Sequence, residues 1–527
     1  MESKRKQGFK KGINADDSRR RRGESVIQLR KNQREEGLAK RRNVMLNNFV
    51  DDESTNAPQQ DLSNSEYATL VQRLRDHNIQ EQTDALRTFR KMLSKEVNPP
   101  VQECIDIGAV PLFVSFLQAS TAELQFEAAW ALTNIASTDR TDVVVQCGAI
   151  PHLVQLLLSE NSDVREQSAW CLGNVAGDGA AFRDVILKAG GLEPLVQNVL
   201  MPANLSLLRN SVWTLSNFCR GKPQPEINAI GAAFEPLGAI IKNCNDQSTV
   251  VDACWALSYL SDGSADRIER VVELDVVDSL VQMLASGQTQ AIVPALRTLG
   301  NIVSGEDHQT QAVVDGGALS VVVPLLSHAK KNIRKETCWL LSNVAAGNKS
   351  QLSALVNTPH LIEGTLCQLS SAAEWDVRKE AAWVISNIAT GGTRAHVVKL
   401  IEHGAIEPLC DLLDVGEVRI LLVAMEALES ILKHGESAKL NVAVMVDQAE
   451  GVDKLELLQE HENKEVYDRA VRIIEKYFGG EEEEESENLA PTAGNSQSFS
   501  FGINQSADVS SKAAAFNFSF QQAPSFI

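Results

Sequence analysis

The chain has 527 residues, more than one hydrophobic core usually serves, so several domains or a repeat array is expected. Apolar residues make up 43% but aromatics only 5%, which leaves Leu, Val, Ile and Ala to fill a core of helices packed on helices. The net charge of −19 argues against nucleic acid as ligand, and no run approaches the roughly 18 to 20 apolar residues of a membrane span.

The charge is unevenly placed along the chain. Residues 1–50 hold 15 Lys and Arg against 6 Asp and Glu. The opening MESKRKQGFKKG has no apolar stretch behind it and does not read as a secretory signal. Within this basic arm, Val26, Leu29 and Leu38 are interleaved with basic residues in a helical pattern. A polar linker spans 51–63. The body, 51–478, holds 34 basic against 56 acidic residues, or −22. A basic arm tethered to an acidic body predicts that the arm binds the body or a partner resembling it.

From about residue 64 one phrase recurs: AAWALTNIAS at 128–137, SAWCLGNVAG at 168–177, SVWTLSNFCR at 211–220, ACWALSYLSD at 253–262, ALRTLGNIVS at 295–304, TCWLLSNVAA at 337–346 and AAWVISNIAT at 381–390. The Trp position falls at 130, 170, 213, 255, 297 (here Arg), 339 and 383, in steps of 40 to 44 residues. Between these lies a second phrase, such as CGAIPHLVQLL at 147–157, whose Gly ends one helix and whose Pro opens the next. A period near 42 with this punctuation predicts an all-α, right-handed armadillo-repeat superhelix of about ten repeats over 64–478. Beyond it, 479–527 opens GGEEEEESEN and turns rich in Ser, Ala, Asn and Gln, a composition that predicts disorder.

On a helical projection of 163–178, Val164, Ser168, Cys171, Leu172 and Val175 form the core stripe, while Gln167, Trp170 and Asn174 lie on another. Repetition turns the Trp and Asn into a ladder along a face the core is expected not to use. Asn can hold both the N–H and C=O of an extended peptide, and Trp rings can pack the stems of Lys or Arg and attract their cationic heads. The position three before Trp supplies acids to meet those heads: Glu127, Asp252, Glu336 and Glu380. Asp178 is expected at a helix C-terminus, where dipole and carboxylate both favour a cation. Tyr259 replaces Asn in the fourth phrase and Arg297 replaces Trp in the fifth. The ladder therefore divides into Trp130–Asn217 and Trp339–Asn387, which suits ligands with one or two basic clusters.

The ladder, its Tyr259/Arg297 break and the arm RRRRGESVIQLRKNQREEGLAKRRN together resemble the importin alpha family over essentially the whole chain. The resemblance implies a nuclear import adaptor that shuttles between cytoplasm and nucleus and binds cargo proteins through Lys/Arg-rich nuclear localisation signals. Its major site would comprise Trp130, Asn134, Thr141, Gln167, Trp170, Asn174, Asp178, Asn210, Trp213 and Asn217. Its minor site would comprise Arg297, Asn301, Asp307, Glu336, Trp339, Asn343, Glu380, Trp383 and Asn387. The arm would be an importin-beta-binding domain in which Lys40, Arg41 and Arg42 mimic a signal and inhibit the groove. The last repeats and Glu481–Glu485 would face an export receptor, and the Phe501 and Phe516–Phe520 elements resemble nuclear-pore repeat chemistry. The loop after the first ladder helix is about two residues shorter than the family's, with Thr141 in the family's Thr position.

Nine cysteines lie far apart without a C-x-x-C pair and read as reduced thiols of a cytosolic or nuclear protein. Nine scattered histidines, with no H-E-x-x-H, phosphate loop or G-x-S-x-G, give no expectation of catalysis, metal or cofactor. The competing class is an adhesion or signalling scaffold of the beta-catenin kind. Such a groove is basic and takes acidic partners, which the −22 body opposes.

Overall fold

The computed structural model describes residues 63–95, 98–479, 492–493 and 499–500. The expectations for the arm, including Lys40, Arg41 and Arg42, and for most of the linker and tail lie outside the described residues. The chain divides into two compact units at Pro408/Leu409.

The first unit repeats one plan. A short helix, Thr141–Gln146, ends at Gly148, whose φ of +80° lets the chain reverse at once into Ala149–Leu156. The long third helix, Ser162–Asp178, then begins where the Asn161 side chain accepts from the N–H groups of Asp163 and Val164. We number the third helices α1 (Ile79–Leu93), α2 (Ala122–Ala136), α3 (Ser162–Asp178), α4 (Leu205–Cys219), α5 (Gln247–Leu260), α6 (Thr289–Ile302), α7 (Lys331–Ala345) and α8 (Trp375–Gly391). Each packs on the next, from α1 against α2 to α7 against α8, so successive units share one core. In α3 that core stripe is the expected one, with Val164, Ser168, Cys171, Leu172 and Val175 all fully buried.

The turn position is not always glycine. Asp275 and His360 occupy it in two repeats with φ of +55° and +60°, a conformation that strains residues bearing a Cβ.

The second unit has two further third helices, α9 (Val418–Ala438) and α10 (Lys464–Tyr477), packed on one another. Thr492–Ala493 pairs antiparallel with Phe499–Ser500. Ten third helices are therefore present among the described residues, and no single described helix is long and apolar enough to cross a membrane.

Candidate functional site

All the ladder residues lie in the first unit, on α2 to α8 or at the helix starts that follow them. The asparagines have a structural duty that the sequence reading did not foresee. Asn174 Nδ2 donates to the Thr133 carbonyl at 3.2 Å, Asn217 to Gly173 at 3.0 Å, Asn301 to Ser258 at 2.9 Å, Asn343 to Gly300 at 3.5 Å and Asn387 to Ser342 at 2.9 Å. Each acceptor lies within the last two turns of the preceding third helix, immediately before that helix's own ladder position. The amides thus stitch each repeat to the one before it. Asn134 makes the equivalent bond to Ser94 Oγ at 2.8 Å, and Asn301 adds a second to Ser261 Oγ at 3.0 Å.

The expectation that Trp and Asn lie on a face unused by packing is therefore corrected. Trp130, Trp213 and Trp339 are buried, as are Asn134, Asn174, Asn210, Asn217, Asn301 and Asn343, whereas Trp170, Trp383 and Asn387 are half-buried. The rings need a small residue on the preceding helix. A Cβ at Gly173 would lie 2.4 Å from Trp213 Cζ3, and one at Gly300 would lie 2.1 Å from Trp339 Cζ3. Position three after Trp is Thr133, Gly173, Ser216, Ser258, Gly300, Ser342 or Ser386 throughout, a signal present in the sequence but passed over.

The expected slot acids divide in the same way. Glu127 is buried and paired with Arg90 at 2.9 Å and Arg87 at 3.4 Å, and the Arg90 guanidinium lies 4.3 Å above the Trp130 ring. Glu336 is buried and paired with Arg297 at 2.8 Å, and Arg297 also approaches the Trp255 ring at 5.9 Å. Neither carboxylate is the open anion that the sequence reading assigned to it; internal arginines hold both. Burial alone would raise the Glu336 carboxyl, but the Arg297 charge outweighs it and holds the group below the ordinary carboxylate range. Glu380 and Asp252 are half-buried, and Asp178 and Asp307 are exposed at the end of α3 and the start of Asp307–Asp315.

Of the remaining predicted residues, Gln167 donates to Thr133 Oγ1 at 2.7 Å, and buried Thr141 donates to the Ala136 carbonyl at 3.1 Å. Asn210 donates to Glu166 Oε1 at 2.9 Å. Glu166 was not singled out from sequence. Burial raises its carboxyl, against the hydrogen bonds from Ser206 and Asn210, and its place one turn before Trp170 is the signal that would have found it.

On α2, two buried polar atoms one turn apart, Trp130 Nε1 and Asn134 Oδ1, have no hydrogen-bond partner. Such groups cost about 1 to 3 kcal/mol each when left unpaired. Tyr259 stacks on Trp255 with centroids 6.0 Å apart, filling with the chain's own ring the place where the ladder breaks. Burial pushes the Cys104, Cys171 and Cys254 thiols up to about 12, as inert core thiols require. No group of three or more potential metal ligands occurs among the described residues.

Comparison with known proteins decides the kinship. The model of the importin beta binding domain matches residues 5–87, that of the armadillo/beta-catenin-like repeat matches 97–137, 137–177, 180–220 and 306–346, and that of an atypical Arm repeat matches 441–492. Importin subunit alpha-1a of Oryza sativa subsp. japonica is 44% identical over 94% of this chain and 96% of its own length. The chain belongs to the importin alpha family. Importin subunit alpha-3 of Arabidopsis thaliana is similar at 43% over 94% of this chain and 96% of its own. A crystal structure of an engineered protein superposes with a TM-score of 0.71 at 29% identity, covering 78% of this chain and 98% of that one. Importin alpha proteins are nuclear import adaptors rather than enzymes, which sets aside the adhesion-scaffold alternative.

Proposed function

We propose that this importin alpha binds the Lys/Arg-rich localisation signals of cargo proteins, in extended form, along its Trp–Asn ladder. The observation that carries this reading is the unsatisfied pair on α2, Trp130 Nε1 and Asn134 Oδ1. A donor and an acceptor one turn apart match the C=O and N–H of a peptide main chain, and the ligand would relieve the cost of leaving them bare. The Arg90–Trp130 and Arg297–Trp255 contacts support the cationic half of the reading, because rings of this series accept guanidinium groups.

In this reading Trp130–Asn217, with Asp178 anchoring one lysine, is the major site for single-cluster signals. Trp339–Asn387, with Glu380 and Asp307, is the minor site for the second cluster. The domain scheme follows: a basic arm over 1–50 that binds importin beta, a linker over 51–63, the solenoid over 64–478 and a tail over 479–527. Without carrier, Lys40, Arg41 and Arg42 occupy the groove as a tethered self-ligand. Importin beta removes them, and by linkage cargo favours carrier binding. An export receptor would engage the last repeats and Glu481–Glu485, nucleoporins would meet the Phe-containing tail, and the adaptor would shuttle between cytoplasm and nucleus.

Fluorescence polarisation with a single-cluster basic peptide tests the assignment. Asp178→Lys should weaken binding at least tenfold by placing like charge at the slot, whereas Glu380→Arg should weaken mainly two-cluster peptides. Equal losses for single-cluster peptides would refute the division into two sites. Changing Lys40, Arg41 and Arg42 to Ala should tighten cargo binding without importin beta and leave it nearly unchanged with it.

A further inference from the structure

Residues 302 positions apart align α3 with α10: Val164, Ser168 and Cys171 with Val466, Ala470 and Ile473, all buried. Next to this shared stripe, α3 has a second side that meets the following repeat. There Arg165 donates to Asn198 at 2.9 Å and the Ala169 carbonyl accepts from Thr214 at 2.8 Å. The matching positions on α10 are Tyr467 and Val471, and the same side continues through Ile474 to Phe478. Spaced by four, three and four residues, these four apolar side chains form a single stripe. No armadillo repeat follows α10 among the described residues, and the stripe stays open: Tyr467 is 43% exposed and Val471, Ile474 and Phe478 are half-buried. Terminal repeats of a solenoid ordinarily present a polar outer face. This one does not.

We propose that the stripe is covered by the chain's own Ser498–Gly502 element, SFSFG, which acts as an intramolecular cap on the last repeat. Four observations point to this occupant. The element follows α10 in the same chain and the same compact unit. Phe499 lies 21 residues beyond Phe478, a tether of up to about 70 Å when extended, against a helix of about 21 Å. It can therefore fold back along the whole stripe at an effective concentration on the order of mM. Phe499 and Ser500 are extended and paired with Thr492–Ala493. In an extended chain, Phe499 and Phe501 share one side about 7 Å apart, close to the ~6 Å between residues one turn apart on α10. Two rings so spaced fit the notches of the stripe. Lys476, exposed in the last turn of α10, precedes the run Glu481–Glu485 by five residues in the sequence that leads to the element. This inference does not depend on the groove reading.

The test uses the full chain with the photo-crosslinking residue p-benzoylphenylalanine at position 501. Irradiation should give intrachain cross-links to residues 464–478, reduced at least tenfold by Tyr467→Asp combined with Val471→Asp. In parallel, Phe499→Ser with Phe501→Ser, which alters nothing in the repeats, should speed amide hydrogen exchange across Lys464–Tyr477 about tenfold. Cross-links that map to other repeats, or that join two chains with a yield rising with concentration, would overturn the proposal. Unchanged exchange in the Phe variant would overturn it as well.

Discussion

The stretch from α2 to α4 and the stretch from α5 to α6 share one backbone plan and differ in a few side chains. Both keep the amide stitch, Asn174 to Thr133 and Asn217 to Gly173 in the first, Asn301 to Ser258 in the second. What changes is the ring and its charge. In the middle, Tyr259 stacks on Trp255, Arg297 lies over the same ring, and Glu336 neutralises that arginine from α7. The protein there supplies its own ring, cation and carboxylate. Ahead of the break, Trp170 is half-buried and Asp178 is exposed at the end of its helix. The difference separates two jobs that the repeated phrase had merged: asparagine holds repeats together wherever it fills its ladder position, which is all but Tyr259 on α5, and the rings with their acids vary along the array.

The largest effect should come from breaking the central pair. Glu336→Gln leaves Arg297 buried without a counter-charge and should cost about 3 to 5 kcal/mol, read by urea unfolding. Replacing both partners by apolar residues of similar size should cost far less. The same pair predicts an acid effect of definite sign. Because the Glu336 carboxyl is held below its unfolded value, its stabilisation is full above the ordinary carboxylate range and is lost as pH falls through the lowered one. The Glu336→Gln variant should therefore lose less stability on acidification than the wild type.

Next in size are the ring seats. Gly173→Ala and Gly300→Ala each drive a methyl into a tryptophan ring, at 2.4 Å and 2.1 Å, and should cost about 1 to 3 kcal/mol. A glycine not facing a ring, such as exposed Gly416, should tolerate alanine with little change. Asn174→Ala should cost about 1 kcal/mol of stability by releasing the Thr133 carbonyl. The smallest effect is a gain. His360→Gly should relieve a strained left-handed turn and stabilise the chain by about 0.5 to 1 kcal/mol, visible as a slightly higher Tm.

Much of this was legible in the sequence because a solenoid writes its plan repeatedly. The 42-residue step, the Gly–Ala–x–Pro turn and the core stripe from Val164 to Val175 needed only periodicity. The stitch of Asn174 to Thr133 was not legible, since its acceptor is a backbone carbonyl about 40 residues away and any residue type provides one. The pairing of Glu127 with Arg90 and of Glu336 with Arg297 was missed for a related reason. Each spans neighbouring repeats, and a projection of one helix cannot show which charge on the next one reaches it. Asn therefore looked idle in the core and free for a ligand, whereas the structure gives it work in the fold.

The central claim, that the ladder binds extended basic peptides, is tested most directly by the double variant Trp170→Ala, Asn174→Ala. One labelled single-cluster lysine-rich peptide is titrated against it and against wild type, with a thermal melt of each protein alongside. The account predicts an affinity at least a hundredfold weaker with a melt lowered by only a few degrees, about 1 to 2 kcal/mol of lost stability, so that the folded array survives without its ligand. Unchanged affinity in a folded variant would contradict it.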